Sequence, residues 1–369
     1  MHAGADEPPK MPAYLEIITG RRRGIGASLL RGLLGVAAGG YRGIIGARNG
    51  FYDYLRMPDE LPIPVISVGN LTVGGTGKTP MAIWLCHYLC ERGLKPAVLS
   101  RGYKADQEGF ADEMLVVSRR CPQAVAVAHR NRPAAGRLAI EQYGVNVAVL
   151  DDGFQHRRLF RDLDIVLIDA TNPFGFGHIL PRGLLREPIK SLARADMIVL
   201  TRCNQGDEGM FEQIERTVRL YNDEAPLLRS FHRPVGLTDL AGCGVPPPDG
   251  ARVGALAGIA RPDTFADTLT RMHLPPAATF WLDDHHVYQP AEADALADWA
   301  RTHHLDVVLT TEKDAVKLKK LGTDWPMPIL VVRIDVEFVG DGAKILADRI
   351  EAILPEEAHP EKRKPSEQP

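Results

Sequence analysis

The chain lacks what a disulfide or zinc scaffold needs. Its 369 residues include five cysteines, Cys86, Cys90, Cys121, Cys203 and Cys243, an odd number with no C-x-x-C pair. That spacing argues against both a disulfide framework and a zinc site, and a reducing compartment fits best. An excess of one charge is also missing: 44 basic and 47 acidic side chains leave a net charge of -3. The chain as a whole therefore carries no nucleic-acid signature. No internal repeat is visible. What remains, 45% hydrophobic and 25% charged residues, is the composition of a globular protein with material for a core, and the length suggests two domains or one large one.

Acids are absent between Glu16 and Asp53, where Arg21, Arg22, Arg23, Arg31, Arg42 and Arg48 lie. Within this segment Ile25, Leu29, Leu33, Val36 and Ile44 recur every three or four positions or a multiple of that, an apolar helical stripe with a basic remainder. Arg31 and Arg42 bracket an uncharged run well under the ~20 residues of a spanning helix. Two readings stay open: a helix lying on an anionic membrane, or one packing on the protein's own core. The many glycines weaken any helix. A signal peptide is set aside, because Arg31 interrupts the apolar region.

From residue 61 the rhythm becomes strand, loop, helix. Val65–Val68 reads as a strand and 80–92 as a helix, and short apolar runs follow at 97–99, 145–150, 165–168 and 198–200. This alternation predicts an α/β fold with a parallel sheet covered on both faces, which a phosphate loop after its first strand would make P-loop NTPase-like. The stretch 236–250, with three consecutive prolines, reads as a connector to a second, smaller α/β lobe with strands near 253–256, 307–309 and 329–332. The expected domains are a disordered start and amphipathic helix (1–60), a kinase domain (61–235), a C-terminal α/β domain (236–354) and a disordered tail (355–369).

The strongest signal is the run Val68-Gly69-Asn70-Leu71-Thr72-Val73-Gly74-Gly75-Thr76-Gly77-Lys78-Thr79-Pro80. It follows a strand and opens a helix, the context of a phosphate loop. Glycines let successive N–H groups turn toward phosphate oxygens, and the helix N-terminus adds positive potential. Lys78 is expected to reach the β- and γ-phosphates and Thr79 to ligate magnesium. The usual pattern places glycine five residues before Gly77; here that residue is Thr72, and Gly74 and Gly75 take over the flexibility.

A second signal is Val147–Leu150 running into Asp151-Asp152-Gly153-Phe154-Gln155-His156. Ligands sit beyond the carboxyl ends of strands in open parallel sheets, which puts Asp151 and Asp152 beside the phosphate loop, with a role in holding hydrated magnesium. In Leu180-Pro181-Arg182-Gly183-Leu184-Leu185-Arg186-Glu187-Pro188, Arg186 fits a cation that neutralises a transferring phosphoryl group, held in place by Glu187, or equally a surface salt bridge. In Asp283-Asp284-His285-His286, adjacent histidines in an extended segment point opposite ways and cannot share an ion. One fits a general base, or both are simply exposed. Thr310-Thr311-Glu312-Lys313-Asp314 either faces the same cleft or caps the next helix.

Taken together and in this order, V-G-N-L-T-V-G-G-T-G-K-T-P, S-R-G-Y, D-D-G-F-Q-H, L-P-R-G-L-L-R-E-P, D-H and T-T-E-K-D-A-V-K-L resemble the tetraacyldisaccharide 4′-kinases of lipid A synthesis, from about residue 25 to about 350. Thr72 matches that family's own variant of the loop. The resemblance implies two α/β lobes with the active site between them. It implies ATP and Mg2+ as cofactors, and transfer of the γ-phosphate to the 4′-hydroxyl of a glycolipid, tetraacyldisaccharide 1-phosphate, giving lipid IV-A. It further implies an enzyme held peripherally on the cytoplasmic face of the bacterial inner membrane by its N-terminal helix. Thr72–Thr79 would then be the nucleotide loop, with Gln155 and His156 beside it. Thr79, Asp151 and Asp152 would be the magnesium site, and Arg186, Glu187 and Asp152 catalytic. An Asp–His dyad would act as base, carried by Asp112 and His285, with Ala111 and Met114 replacing the glycine and proline that flank the family's aspartate.

Three other readings are weaker. A membrane-localised P-loop ATPase switch with no lipid acceptor carries an early loop lysine where this chain has Val73. A soluble small-molecule kinase leaves the basic N-terminal stripe unexplained. A metal-handling protein finds no acid or cysteine at ligand spacing around the histidines.

Overall fold

The computed structural model describes residues 13–101, 112–284, 286–321, 325 and 327–355. The two chain ends read as disordered fall almost wholly outside the described residues, as does His285. The chain forms two compact units: a larger one from Ala13–His232 with the segment beginning at Val336, and a smaller one from Arg233–Asp335. The smaller unit therefore does not keep the chain's C-terminal helix, and the boundaries differ from those expected.

In the larger unit the chain opens with helices α1 (Ala13–Ile18) and α2 (Ile25–Tyr54), then β1 (Val65–Asn70), α3 (Lys78–Glu91), β2 (Pro96–Ser100), α4 (Asp112–Arg120), β3 (Val125–Ala128), α5 (Arg132–Tyr143), β4 (Val147–Asp151), β5 (Leu163–Asp169), β6 (Met197–Thr201), α6 (Glu208–Arg219) and the first half of β7 (Leu227–Asp239). The strand order is β7-β6-β5-β1-β4-β2-β3, and each described pair in it runs parallel. β1, β2, β5 and β6 are buried along their whole length. That is why they read as continuous apolar runs rather than alternating ones: helices cover both faces.

The smaller unit adds β8 (Gly244–Val245), β9 (Val253–Ala257), α7 (Pro262–Arg271), β10 (Ala278–Trp281), α8 (Pro290–Thr302), β11 (Val307–Thr311), α9 (Glu312–Lys320) and most of β12 (Ile329–Phe338). Its parallel order is β10-β9-β11-β12. Successive residues alternate between two cores: Val253, Ala255, Val307, Leu309, Leu330 and Val332 pack with Phe265 and Leu269 of α7, whereas Leu256, Val308 and Ile329 pack with Leu296, Trp299 and Leu318 of α8 and α9. This is the two-fold side-chain period of a strand.

Helix α10 (Gly342–Glu351) belongs to the larger unit because α3 offers it a partner surface. Tyr88 of α3 donates to Glu351 at 2.9 Å, Arg92 pairs with the same carboxylate, and Trp84 packs edge-on against Phe338 at 5.3 Å.

Glycine is demanded at the end of β1. A Cβ built on Gly69 would lie 2.4 Å from the Phe154 Cβ and 2.6 Å from its backbone nitrogen. This close approach is what lets the turn after β4 fold over β1. Gly69→Ala is therefore expected to destabilise the protein by about 1–3 kcal/mol through overpacking against backbone that cannot yield, measurable by urea denaturation.

Candidate active site

The segment after β1 turns sharply before α3. Gly74 and Gly77 take positive φ values of 123° and 91°, a region that costs other residues a steric penalty. At Gly77 the restriction is doubled, since an added Cβ would meet the His232 ring at 2.7 Å. The loop's carbonyls are tied down from behind: Thr201 donates to the Thr76 carbonyl at 3.0 Å and Arg202 to the Gly75 carbonyl at 2.6 Å. The Thr76 amide donates to the Gly74 carbonyl at 3.1 Å, and a loop of this shape at the start of a helix is where an anion binds. Val73 is exposed, Thr72 and Thr76 are buried, and Lys78 and Thr79 form the half-buried first turn of α3.

Thr72 needs no positive φ, because it pairs in an extended bridge with Leu185. The Val73 amide donates to the Leu184 carbonyl at 2.8 Å, and the Arg186 amide to the Leu71 carbonyl at 2.7 Å. This short antiparallel ladder fastens the arginine-bearing segment to the phosphate loop.

The acidic pair arrives by strand register. β4 pairs with β1 so that Asp151 stands beside Val68, and the Gly153 amide donates to the Val68 carbonyl at 3.0 Å. Asp152 sits at φ 54°, a left-handed conformation that aspartate tolerates better than most residues. Its carboxylate receives the Arg186 guanidinium at 2.9 and 2.7 Å and faces Lys78 Nζ at 3.5 Å. Burial pushes the Asp152 pKa up, but the Lys78 and Arg186 charges outweigh it and leave the group below the ordinary carboxylate range. Asp151 goes the other way: burial above all, then the Asp152 and Glu113 charges, push it up to about 6 against the pull of Lys78 and Arg132. Asp151 Oδ1 is sealed from solvent with no hydrogen-bond partner among the described residues.

Gln155 bridges the two segments: its amide nitrogen donates to the Asn70 carbonyl at 2.8 Å, and its side-chain oxygen accepts from Arg186 at 3.4 Å. His156 is pushed down to about 4 by burial and by the surrounding arginines, so its ring is neutral at physiological pH. Lys78 Nζ also donates to Asn70 Oδ1 at 3.3 Å. Asp112 opens α4, and its neighbour Glu113 lies near enough to raise the Asp151 pKa.

Glu187 departs from its expected role. It does not hold Arg186, which is held by Asp152. Glu187 is fully buried and pairs with Arg194 at 2.7 Å and Arg48 at 3.8 Å. The Thr310–Asp314 segment caps a helix: Thr311 Oγ1 accepts from the Asp314 amide at 3.2 Å. The buried Asp314 carboxylate then accepts from the Gly258 amide at 3.0 Å and from the Tyr288 hydroxyl at 3.2 Å.

Sequence reasoning missed Arg132. It is 3% exposed and reaches the Asp151 carbonyl at 3.5 Å from the first turn of α5. Its signal was the helix start Asn131-Arg132-Pro133, where Asn131 caps the helix by accepting from Ala134, but an arginine there ordinarily reads as solvated.

Among the described residues no three His, Cys, Asp or Glu side chains gather as a metal centre. Magnesium takes one or two carboxylates and keeps phosphate and water ligands. The partnerless Asp151 oxygen, next to Asp152, is the kind of donor such an ion uses.

A profile of the tetraacyldisaccharide-1-P 4′-kinases matches residues 30–354. The chain belongs to this family. A tetraacyldisaccharide 4′-kinase of Anaeromyxobacter sp. (strain Fw109-5) is 38% identical over 355 residues, covering 91% of this chain and 95% of the relative. Another from Geobacter metallireducens is 41% identical over 280 residues, covering 70% and 80%. The crystal structure of LpxK from Aquifex aeolicus in complex with ATP superposes with a TM-score of 0.70 at 28% identity, covering 88% of this chain and all of that one. Like its tetraacyldisaccharide 4′-kinase relatives, the chain is an ATP-dependent kinase on a P-loop α/β scaffold.

Because the folded Asp151 binds its proton more tightly than an unfolded aspartate (about 6 against 3.8), metal-free stability should be lost as pH rises from about 4 to about 6. Asp151→Asn removes that slope. At pH 7 without magnesium it should stabilise the protein, by on the order of 1–3 kcal/mol, while ATP turnover is lost. Denaturant melts at pH 4.5 and pH 7 check this.

Proposed function

We propose that this chain transfers the γ-phosphate of ATP to the 4′-hydroxyl of a tetraacylated glucosamine disaccharide 1-phosphate, giving lipid IV-A, while seated peripherally on the cytoplasmic face of the bacterial inner membrane. The observation that carries the kinase reading is the convergence of Lys78, Arg186 and the Asp151–Asp152 pair on the start of α3. The amides of Gly74–Gly77 and the dipole of α3 bind the nucleotide phosphates. Thr79, Asp151 and Asp152 hold magnesium, which when bound neutralises phosphate charge. Lys78 and Arg186 now share Asp152; an incoming triphosphate gives both cations a stronger anion, and they stabilise the phosphoryl group in flight. Neutral His156 and Gln155 orient this end of the site without adding charge.

Two roles come from the motif match: His285 accepts the proton of the attacking hydroxyl, and Asp112 serves as the carboxylate of the dyad. A positioned base of this kind typically contributes ~10²–10⁴-fold. His285→Ala is expected to lower kcat by about that factor on the lipid substrate; full activity would remove the assignment.

The membrane reading is supported by α2. Its stripe Ile25, Leu29, Leu33, Val36 and Ile44 is 65–83% exposed, so it does not pack on the described core. No described helix is long and apolar enough to cross a membrane, and a basic amphipathic helix with a bare apolar face suits an anionic interface. Replacing Leu29, Leu33 and Val36 together by serine should lower recovery on phosphatidylglycerol vesicles at least about tenfold, read by co-sedimentation. The decisive assay combines ATP, magnesium and the disaccharide lipid and looks for phosphate on the distal sugar.

A further inference from the structure

The face of α2 turned away from its exposed stripe buries little apolar surface. Only Ala38 and Ile45 of this helix are buried. Several of its polar contacts fall on three residues of the transfer site. The Tyr41 hydroxyl donates to the Arg186 carbonyl at 3.2 Å. Arg48 donates to the Gln155 carbonyl and faces Glu187 Oε1 at 3.8 Å. Asn49 reaches Glu187 Oε2 at 3.4 Å. In return Arg157, two residues beyond Gln155, donates to the Asn49 carbonyl at 3.1 Å and to Asp53 at 2.5 Å.

Glu187 explains why this matters. A fully buried carboxylate is costly unless cations meet it. Arg194 engages one oxygen at 2.7 Å, and Arg194 is itself fixed over the Phe154 ring at 4.5 Å. The other oxygen, Oε1, is sealed and accepts no hydrogen bond among the described residues; the Arg48 guanidinium is the charge beside it. Glu187 follows Arg186 directly, and Gln155 touches the Arg186 guanidinium. Arg48 thus grips both segments that aim the transfer-site arginine.

We infer that Arg48 is a positioning residue for phosphoryl transfer, so that α2 is a wall of the catalytic site as well as a membrane seat. The inference rests on the kinase reading above. A guanidinium presents its N–H groups in a rigid planar fork that reaches the Gln155 carbonyl and the Glu187 carboxylate together, whereas a lysine ammonium is a compact point charge on a flexible stem without that fork. Loss of such supporting contacts typically costs 10–100-fold in activity, because the group they aim at the reaction drifts.

The test uses the full chain with ATP, magnesium and lipid substrate in phosphatidylglycerol vesicles. It compares the wild type with Arg48→Met, Arg48→Lys, Glu187→Gln and the double variant Arg48→Met/Glu187→Gln. Arg48→Met is expected to lower kcat about 10- to 100-fold with KM for the lipid and vesicle co-sedimentation unchanged, and to lower the melting temperature, because buried Glu187 loses one of its cations. Arg48→Lys should fall in between. The double variant should lose no more than the worse single change, since both act through one contact. An active wild type together with a folded Arg48→Lys or Arg48→Met protein of wild-type kcat overturns the inference. So does a loss confined to KM and vesicle binding, or losses that multiply in the double variant. A wild type that leaves the lipid unphosphorylated sinks the kinase reading itself.

Discussion

Arg186 is held at both ends. Its backbone amide hangs from the Leu71 carbonyl at 2.7 Å, and its guanidinium spans both oxygens of Asp152. One residue thereby joins the phosphate loop, the R-E-P segment and the acidic strand end. The parallel register of β1 and β4 brings Asp151 level with Val68, and the missing side chain at Gly69 lets the following turn close over it. Remove any of these and the lysine, the arginine and the two acids no longer share a space small enough for one triphosphate.

The two adjacent aspartates illustrate how environment separates like groups. Asp152 spends its charge on two cations and stays ionised; Asp151, sealed and lacking a hydrogen-bond partner for Oδ1, is pushed to about 6. A divalent cation at this pair, as proposed above, would offset that penalty. Coupling of this kind places binding energy where charge develops during transfer.

Helix α2 divides its surface between two tasks. One side presents bare apolar residues between arginines, and the other places Tyr41, Arg48 and Asn49 on backbone and carboxylate atoms of the site. One side of the helix contacts the protein, and the bare apolar side is the face that the proposed membrane reading uses. The glycines that weaken its intrinsic propensity are overridden by tertiary contacts along a 30-residue span.

The phosphate loop, the acidic strand end and the buried strands were legible because each lies in consecutive residues whose order carries the chemistry. A Gly-rich turn before Lys78-Thr79, or four apolar residues ending in Asp151-Asp152, keeps its meaning without knowledge of the rest of the chain. The sequence by itself thus determined the α/β class, the nucleotide chemistry and the family. Tertiary structure alone decided who partners whom. Arg48 meets Gln155 across 107 positions, and Asn49 meets Glu187 across 138. Arg132 lies buried where an arginine ordinarily stays in water, and the chain returns to the larger unit at Val336 because α3 offers α10 a surface. Such pairings depend on strand order and helix packing. These are set by the sum of many weak burial terms, and no local pattern of residues encodes them.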